Sequence, residues 1–129
     1  MGQLNDLDYG QWRWKTFVEV RAESAALFDR WFSAPELLRF PGGESLQDLL
    51  GRTADALRQL LGDDPDGMIV VVAQDSVNRA ILMQVLQQSP STYWRTVQSP
   101  CGLSEIEIDH DHARLVRMNE TAHVEDLTR

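Results

Sequence analysis

Residues able to hold or hand over a charged group gather in the run Ala73-Gln74-Asp75-Ser76-Val77-Asn78-Arg79. A short apolar stretch, Met68-Ile69-Val70-Val71-Val72-Ala73, leads into it, and a helical pattern leads out. In open α/β sheets, ligand sites collect at the carboxyl ends of the strands. The first backbone N–H groups of a helix have no partner inside the helix and carry the positive end of its dipole. Asp75, Ser76 and Val77 are therefore the candidate anion-binding positions, and phosphate is the ligand that such a terminus suits. Strand, turn and helix in that order is a weak signal alone, because every doubly wound protein has several.

Other side chains invite chemistry and have plainer readings beside it. Asp6 is a candidate acid, although a short Asp next to a turn is more often a cap or a solvated group. His110 and His112 alternate with Asp109 and Asp111, which suggests a metal. Two His at i, i+2 lack the three or four converging ligands a metal site needs, so a solvated turn is expected and no metal or cofactor is implied. Cys101 has no evident activating partner and reads as a small buried hydrophobe. Trp12, Trp14 and Trp31 read as core or cover, the first two beside the mouth of the expected pocket, and Arg79 as a surface or pairing residue.

The elements that must position these residues follow from periodicity. Leu4 to Tyr9 is a short strand or an extended lead-in, broken at Gly10. Phe17, Val20, Ser24, Leu27, Phe28 and Trp31 repeat at helical spacing and predict one helix over 16–32. After the breaker Pro41-Gly42-Gly43, Glu44-Ser45 supplies an N-cap and a first-turn acid. Leu46, Leu49, Leu50, Thr53, Leu57, Leu60 and Leu61 then form one apolar stripe up to Gly62. Residues 68–73 predict a strand covered on both faces, as in a parallel sheet. Residues 76–87 predict a buried helix, 91–97 a short one, and 103–109 with 113–118 a hairpin. A polar tail, expected to fray in part, follows from Asn119. The order gives an α/β class with helices against a sheet, in a single domain over 1–129.

The chain carries a formal net charge of −8, which argues against nucleic acid or an anionic membrane as the main partner. One cysteine in 129 residues makes no intramolecular disulfide framework, so a reducing cytoplasm is the expected location. The N-terminus shows no signal-peptide pattern, and Asp6 stands where a myristoylation motif wants Ser or Thr.

Several segments in register resemble the histidine phosphatase superfamily, the phosphoglycerate-mutase-like proteins. Val-Val-Ala-Gln-Asp-Ser-Val-Asn-Arg over 71–79 is similar to the element that carries the family's second histidine. Leu4 to Trp12 resembles its Leu-x-acid-x-x-x-Gly-x-Trp segment, with Asp6 at the position of the acid. Pro41-Gly42-Gly43-Glu44-Ser45 followed by Arg52 resembles its Pro-Gly-Gly-Glu-Ser element. Tyr93-Trp94, Ser99-Pro100-Cys101, Ser104-Glu105-Ile106 and the Asn119-Glu120-Thr121-Ala122-His123 run fit a bacterial subgroup, in which His123 packs or hydrogen-bonds. The resemblance implies an incomplete doubly wound sheet flanked by helices, with a C-terminal β-hairpin. It also implies phosphatase or phosphomutase chemistry through a phosphohistidine.

The departures bear directly on that chemistry. The family's nucleophilic histidine lies in an Arg-His-Gly motif, and that tripeptide does not occur in these 129 residues. The arginine that clamps the phosphate in the family belongs to a segment ahead of position 1. The second histidine is replaced by Gln74, which can hydrogen-bond but cannot carry a positive charge or shuttle a proton. The resemblance thus leads to a degenerate, non-catalytic family member truncated at its N-terminus. Its rivals are a phosphomonoesterase or mutase active when another chain supplies the missing half, and a phosphate or metabolite binder. The family's first strand neighbours the 68–73 strand, so this chain leaves that strand open. The expected outcomes are internal re-pairing with 103–109, a complementing chain, or a homodimer through the open sheet, the last being favoured.

Overall fold

A computed structural model describes residues 1–110 and 112–127 of the chain. Asp111 of the expected hairpin turn and the last two residues of the tail lie outside the described residues. The helices are α1 (Phe17–Glu23), α2 (Ala25–Ser33), α3 (Leu46–Asp63) and α4 (Asp75–Val85). Strands β1 (Leu103–Asp109) and β2 (His112–Glu120) form an antiparallel pair. Short 3-10 turns fill the joints at Gly2–Leu4, Gly10–Trp12, Pro35–Leu37, Pro90–Arg95 and Ala122–Leu127. Among the described residues no helix is long and apolar enough to cross a membrane.

The long helix α3 starts where the sequence places its cap. Ser45 Oγ accepts from the Asp48 N–H at 3.2 Å, and Asp48 Oδ2 accepts from the Ser45 N–H at 3.0 Å. This reciprocal pair satisfies two N–H groups that would otherwise lack acceptors. The expected stripe faces inward: Leu46, Leu49, Thr53 and Ala56 are buried, and Leu50 and Leu57 pack against the core. Thr53 sits in the apolar face because its hydroxyl donates to Leu49 O at 2.8 Å and accepts from Gln84 Nε2 at 2.8 Å. That bond ties α3 to α4, whose residues Val77, Ala80, Ile81 and Met83 complete the same core.

The single helix expected over 16–32 is two. Thr16 opens α1 with a capping box to Glu19. Ser24 then leaves helical geometry (φ −147°, ψ 60°) and serves as the cap between α1 and α2. The break gives α1 and α2 separate inward anchors, Val20 and Trp31. Trp31 is the hub of an aromatic cluster, with ring centroids 4.9 Å from Phe40 and 5.1 Å from both Tyr93 and Trp94. Trp14 departs from the expectation of core or cover, being fully exposed. Cys101 is likewise exposed rather than buried, because the turn ahead of β1 holds it at φ 59°, outside the core.

The larger departure is at 68–73. The segment is extended but belongs to no sheet among the described residues, whose one sheet is the β1–β2 pair. It is covered on one face, not two. Met68, Val70 and Val72 are 90%, 79% and 92% exposed, whereas Val71 and Ala73 pack against the core. Internal re-pairing with 103–109 does not occur, since β1 takes β2 as its partner with Ile106 opposite Leu115. A strand needs a neighbour for its backbone groups, and the described residues offer this one none. The tail is more regular than expected: β2 runs on to Glu120, and a 3-10 turn follows.

One close approach fixes how the N-terminal segment meets the turn before α3. Gly10 has φ +54°, and a Cβ there would lie 2.2 Å from Pro41 O. A Cβ at Gly43 would lie 2.3 Å from Asp8 O. The two backbones touch through Gln11 N to Pro41 O (2.8 Å) and Glu44 N to Asp8 O (2.9 Å). Gly10→Ala is expected to cost about 2 kcal/mol or more from left-handed strain and the clash together. Gly51→Ala, in open space on α3, is expected to add about 0.5–1 kcal/mol. Thermal melting of the two variants checks this; equal midpoints would show that the contact does not hold the segment.

Candidate active site

The site is assembled by one cation. Arg52 projects from α3, off its apolar stripe, and its guanidinium uses all five N–H groups. Nε and Nη2 donate to Glu44 Oε1 and Oε2 at 2.8 and 3.0 Å, a bidentate pair. Nη1 donates to Gln3 O and Asn5 O at 2.7 Å each, and Nη2 to Asp6 O at 2.9 Å. Glu44 Oε2 also accepts from the Asp8 N–H at 2.9 Å. Residues 3–8 are thereby fastened across α3 by bonds to their own backbone. Sequence reasoning gives Glu44 to the start of the helix; the structure gives it to Arg52. The hydrogen bonds from Arg52 hold the Glu44 carboxyl below its ordinary value of 4.5, against the opposing effect of burial.

The clamp delivers Asp6 to the start of α4. Asp6 Oδ1 accepts from Ser76 Oγ at 2.5 Å and from the Leu7 N–H at 2.8 Å, and Ser76 Oγ lies 3.1 Å from the same N–H. Ser76 is buried and Asp6 exposed, so this carboxylate sits at the surface with one oxygen engaged. The structure therefore joins two of the expected site residues, which are 70 positions apart. It does not join Gln74 to them. Gln74 is the N-cap of α4, its exposed side chain makes no cap hydrogen bond, and Asn78 N donates to its carbonyl at 3.0 Å. Val77 is buried in the core. Asp75 is exposed and turned along the helix, where both its oxygens accept from Arg79 Nε at 3.1 and 3.0 Å.

Arg79 is a pairing residue, and a deeply held one. Its side chain is 8% exposed. Nη1 donates to Tyr93 O at 3.1 Å and also to Thr96 O, and the guanidinium carbon lies 5.4 and 5.1 Å from the rings of Tyr93 and Trp94. Its charge thus faces the aromatic cluster and two carbonyls. Burial raises the Tyr93 phenol, and that of Tyr9, well above the ordinary tyrosine value.

Asp6 also borders an open cleft of about 660 Å³, and Trp14, expected beside a pocket mouth, is among its lining residues. Leu7, Asp8, Tyr9, Arg13 and Trp14 line it together with Glu44 and Arg52, and Gln74, Asp75, Ser76 and Val77 do not. Arg13 Nη2 pairs with Asp8 Oδ1 at 2.6 Å, and Asp8 is held low in pKa first by the Gly10 N–H and then by Arg13. Asp6, Glu44 and Arg52 of this lining lie in segments that the motif resemblance singled out, whereas Arg13 carried no sequence signal of its own. His110 pairs with Asp109 at 2.6 Å and His123 with Glu120 at 3.7 Å, both away from the segments that frame the site. No group of three or more possible metal ligands occurs among the described residues.

The Arg52–Glu44 pair carries a testable pH signature. A carboxyl held below its ordinary value contributes stability that is fully present above pH 4.5 and lost as pH falls through the folded value. Glu44→Gln is expected to give a shallower loss of urea stability below pH 4.5, together with a lower plateau at neutral pH. It will not abolish the acid dependence, because Asp8, Glu19 and Asp48 are also depressed. Identical acid slopes in the variant and the parent would show that the pair contributes nothing.

Comparison with known proteins places this geometry. The sequence matches the histidine phosphatase superfamily (branch 1) over residues 1–121. Phosphoserine phosphatase 1 of Hydrogenobacter thermophilus is 25% identical over 122 residues, which are 95% of this chain and 58% of that protein. The structure of Bacillus stearothermophilus YhfR superposes with a TM-score of 0.92 at 20% identity, over 97% of this chain and 62% of that one. A phosphoserine phosphatase from Entamoeba histolytica, in complex with 3-phosphoglyceric acid, superposes with a TM-score of 0.82 at 19% identity, over 96% and 62%. This chain spans about three fifths of the length of each. With the family matched across nearly the whole sequence and the fold shared, the chain belongs to the histidine phosphatase superfamily.

Proposed function

We propose that these 129 residues do not turn over phosphomonoesters by themselves and are a degenerate, non-catalytic form of the family's phosphatase site. One observation carries this reading: the charged side chains at the start of α4 are carboxylates, while both nearby arginines are committed elsewhere. Asp6 and Asp75 are exposed there. Arg52 is occupied by Glu44 and three carbonyls, and Arg79 by Asp75 and two carbonyls. Phosphoryl transfer depends on positioning and on cationic stabilisation of the equatorial oxygens. Two unit charges about 4 Å apart interact by ~4 kcal/mol at an effective dielectric of about 20. A phosphate at this helix end would meet that as repulsion from a carboxylate, which the partial charge of one helix terminus, worth about 0.3–1 kcal/mol, does not offset. The same balance disfavours a phosphate-binding module.

The family's chemistry adds a second support. It proceeds through phosphohistidine, and the position that resembles its second histidine carries Gln74, whose amide can neither attack phosphorus nor exchange a proton near neutral pH. The names of the relatives point to phosphoserine as a substrate to test. The purified chain is expected to hydrolyse neither p-nitrophenyl phosphate nor phosphoserine above the buffer rate. Gln74→His is expected to stay equally inactive, since it restores an imidazole without restoring an Arg-His-Gly nucleophile. Turnover by either protein, with acid-labile phosphate bound to a histidine, would overturn the reading.

A further inference from the structure

The loop that follows α3 carries a chemistry that the candidate site does not use. Its run Asp63-Asp64-Pro65-Asp66-Gly67 holds the one Asp-Gly pair in the sequence, and no Asn-Gly pair occurs. An aspartyl side chain followed by glycine can close a ring on the backbone, because no side chain on glycine obstructs the approach and its dihedrals are soft. In a folded chain the step needs a free carboxyl, a free nitrogen after it and a backbone able to turn at that bond. Asp66 meets all of these conditions. It is exposed, and its carboxyl makes no hydrogen bond or ion pair among the described residues. Asp8, Asp48 and Asp75, by contrast, are held by N–H groups of Gly10, Ser45 and Arg79. The Gly67 N–H reaches only Asp64 O at 3.5 Å, the outer limit of a hydrogen bond. Helix α3 ends at Asp63, residues 65–67 form an exposed turn, and Val71 is the next apolar side chain packed against the core. The other two acids of the loop lack these conditions. Asp63 is followed by a nitrogen bonded to Leu60 O at 3.2 Å, and Asp64 by Pro65, which has no N–H.

We infer that Asp66 is a site of spontaneous aspartyl isomerisation in the folded protein. The Gly67 nitrogen forms a bond to Asp66 Cγ. The hydroxyl of the protonated side-chain carboxyl leaves with the Gly67 amide proton as water, and the product is a cyclic succinimide. Water then adds at one of the two ring carbonyls and breaks the C–N bond there. Opening at Cγ restores Asp66. Opening at the α-carbonyl sends the chain through the side chain as isoaspartate and leaves the α-carboxylate free. Mass is unchanged, and the backbone gains one methylene between Asp66 and Gly67. The fold tolerates that methylene, because it falls in an exposed turn whose one backbone hydrogen bond is marginal. The free α-carboxylate is a substrate class of its own, an acceptor for a methyl group from S-adenosylmethionine. This site is independent of the phosphate chemistry discussed above.

The test ages the purified full chain in neutral buffer for several weeks. Peptide mapping with electron-transfer fragmentation separates isoaspartate from aspartate, and an isoaspartyl methyltransferase with labelled S-adenosylmethionine counts the free α-carboxylates. Isoaspartate is expected at Asp66 ahead of every other aspartate. Its rate in the folded chain is expected to lie within about tenfold of the rate in urea, since a site locked by structure would have to open before reacting. The variants are made at Asp66 because a Cβ at Gly67 would lie 1.9 Å from Asp64 Oδ2 and disturb that side chain. Asp66→Glu closes a larger ring more slowly and should lose the label. Asp66→Asn expels ammonia in place of water and should gain the label faster. Both should melt with the parent. Isoaspartate arising first at another aspartate, label kept by Asp66→Glu, or folding that protects Asp66 by more than about tenfold overturns the inference.

Discussion

Placement of the N-terminal segment depends on one guanidinium. Residues 3–8 contain no long helix or strand that could hold them in place by their own hydrogen bonds. Arg52 supplies donors to the carbonyls of Gln3, Asn5 and Asp6, while Glu44 accepts from the Asp8 N–H. A planar fork suits this because its donors diverge at fixed angles, so carbonyls at Gln3, Asn5 and Asp6 are reached at once. The pair lies on the half-buried flank of α3, with side chains about one fifth exposed, where charge-assisted bonds are less screened than at the surface. Asp6 meets Ser76 because of this clamp, and Leu7 enters the core beside it.

A second constraint comes from what helices can do alone. Helices satisfy their backbones internally, so α3 and α4 pack together through Thr53 and Gln84 whether or not a sheet is complete. A strand cannot. The described residues therefore form a helical and aromatic core beside a segment, 68–73, that pairs with none of them. The aromatic cluster around Trp31 joins α2 to Phe40, Tyr93 and Trp94. Trp94 Nε1 donates to Trp31 O at 2.7 Å, and Arg79 lies over Tyr93 and Trp94, so the turn after α4 is fixed to α2.

What the sequence made legible follows the same division. Local rules read α3 almost to the residue: cap, stripe and stop were all visible, and the helix ran one residue past Gly62. The hairpin was visible in its alternation. The split at Ser24 was not, because the periodicity of Phe17 to Trp31 continues through it and only the dihedrals of Ser24 reveal the break. The β-branched run at 68–73 predicted a strand that the described residues do not form, because pairing and burial on both faces are properties of neighbours, which six residues cannot encode. In the site, motif resemblance found Asp6, Gln74, Glu44 and Arg52. It did not show that Arg52 reaches past Glu44 to carbonyls 46 to 49 positions away, since contacts of that range leave no local pattern.

The electrostatics at the start of α4 are balanced by side chains of the chain itself. Asp75 in the first turn complements the positive end of the helix dipole, as a bound anion would. Its carboxylate then meets Arg79 one turn along, so the acid and the buried cation neutralise each other. Ser76 is satisfied by Asp6, and Asn78 covers the carbonyl of Ala73. The features that would make a helix terminus attractive to phosphate are thus answered within the chain by its own side chains. A phosphate arriving there would have to displace Asp75 from the dipole and approach Asp6, gaining no cation for either. The interactions that stabilise the start of α4 are therefore the same ones that, on the reading proposed above, disfavour an anion there.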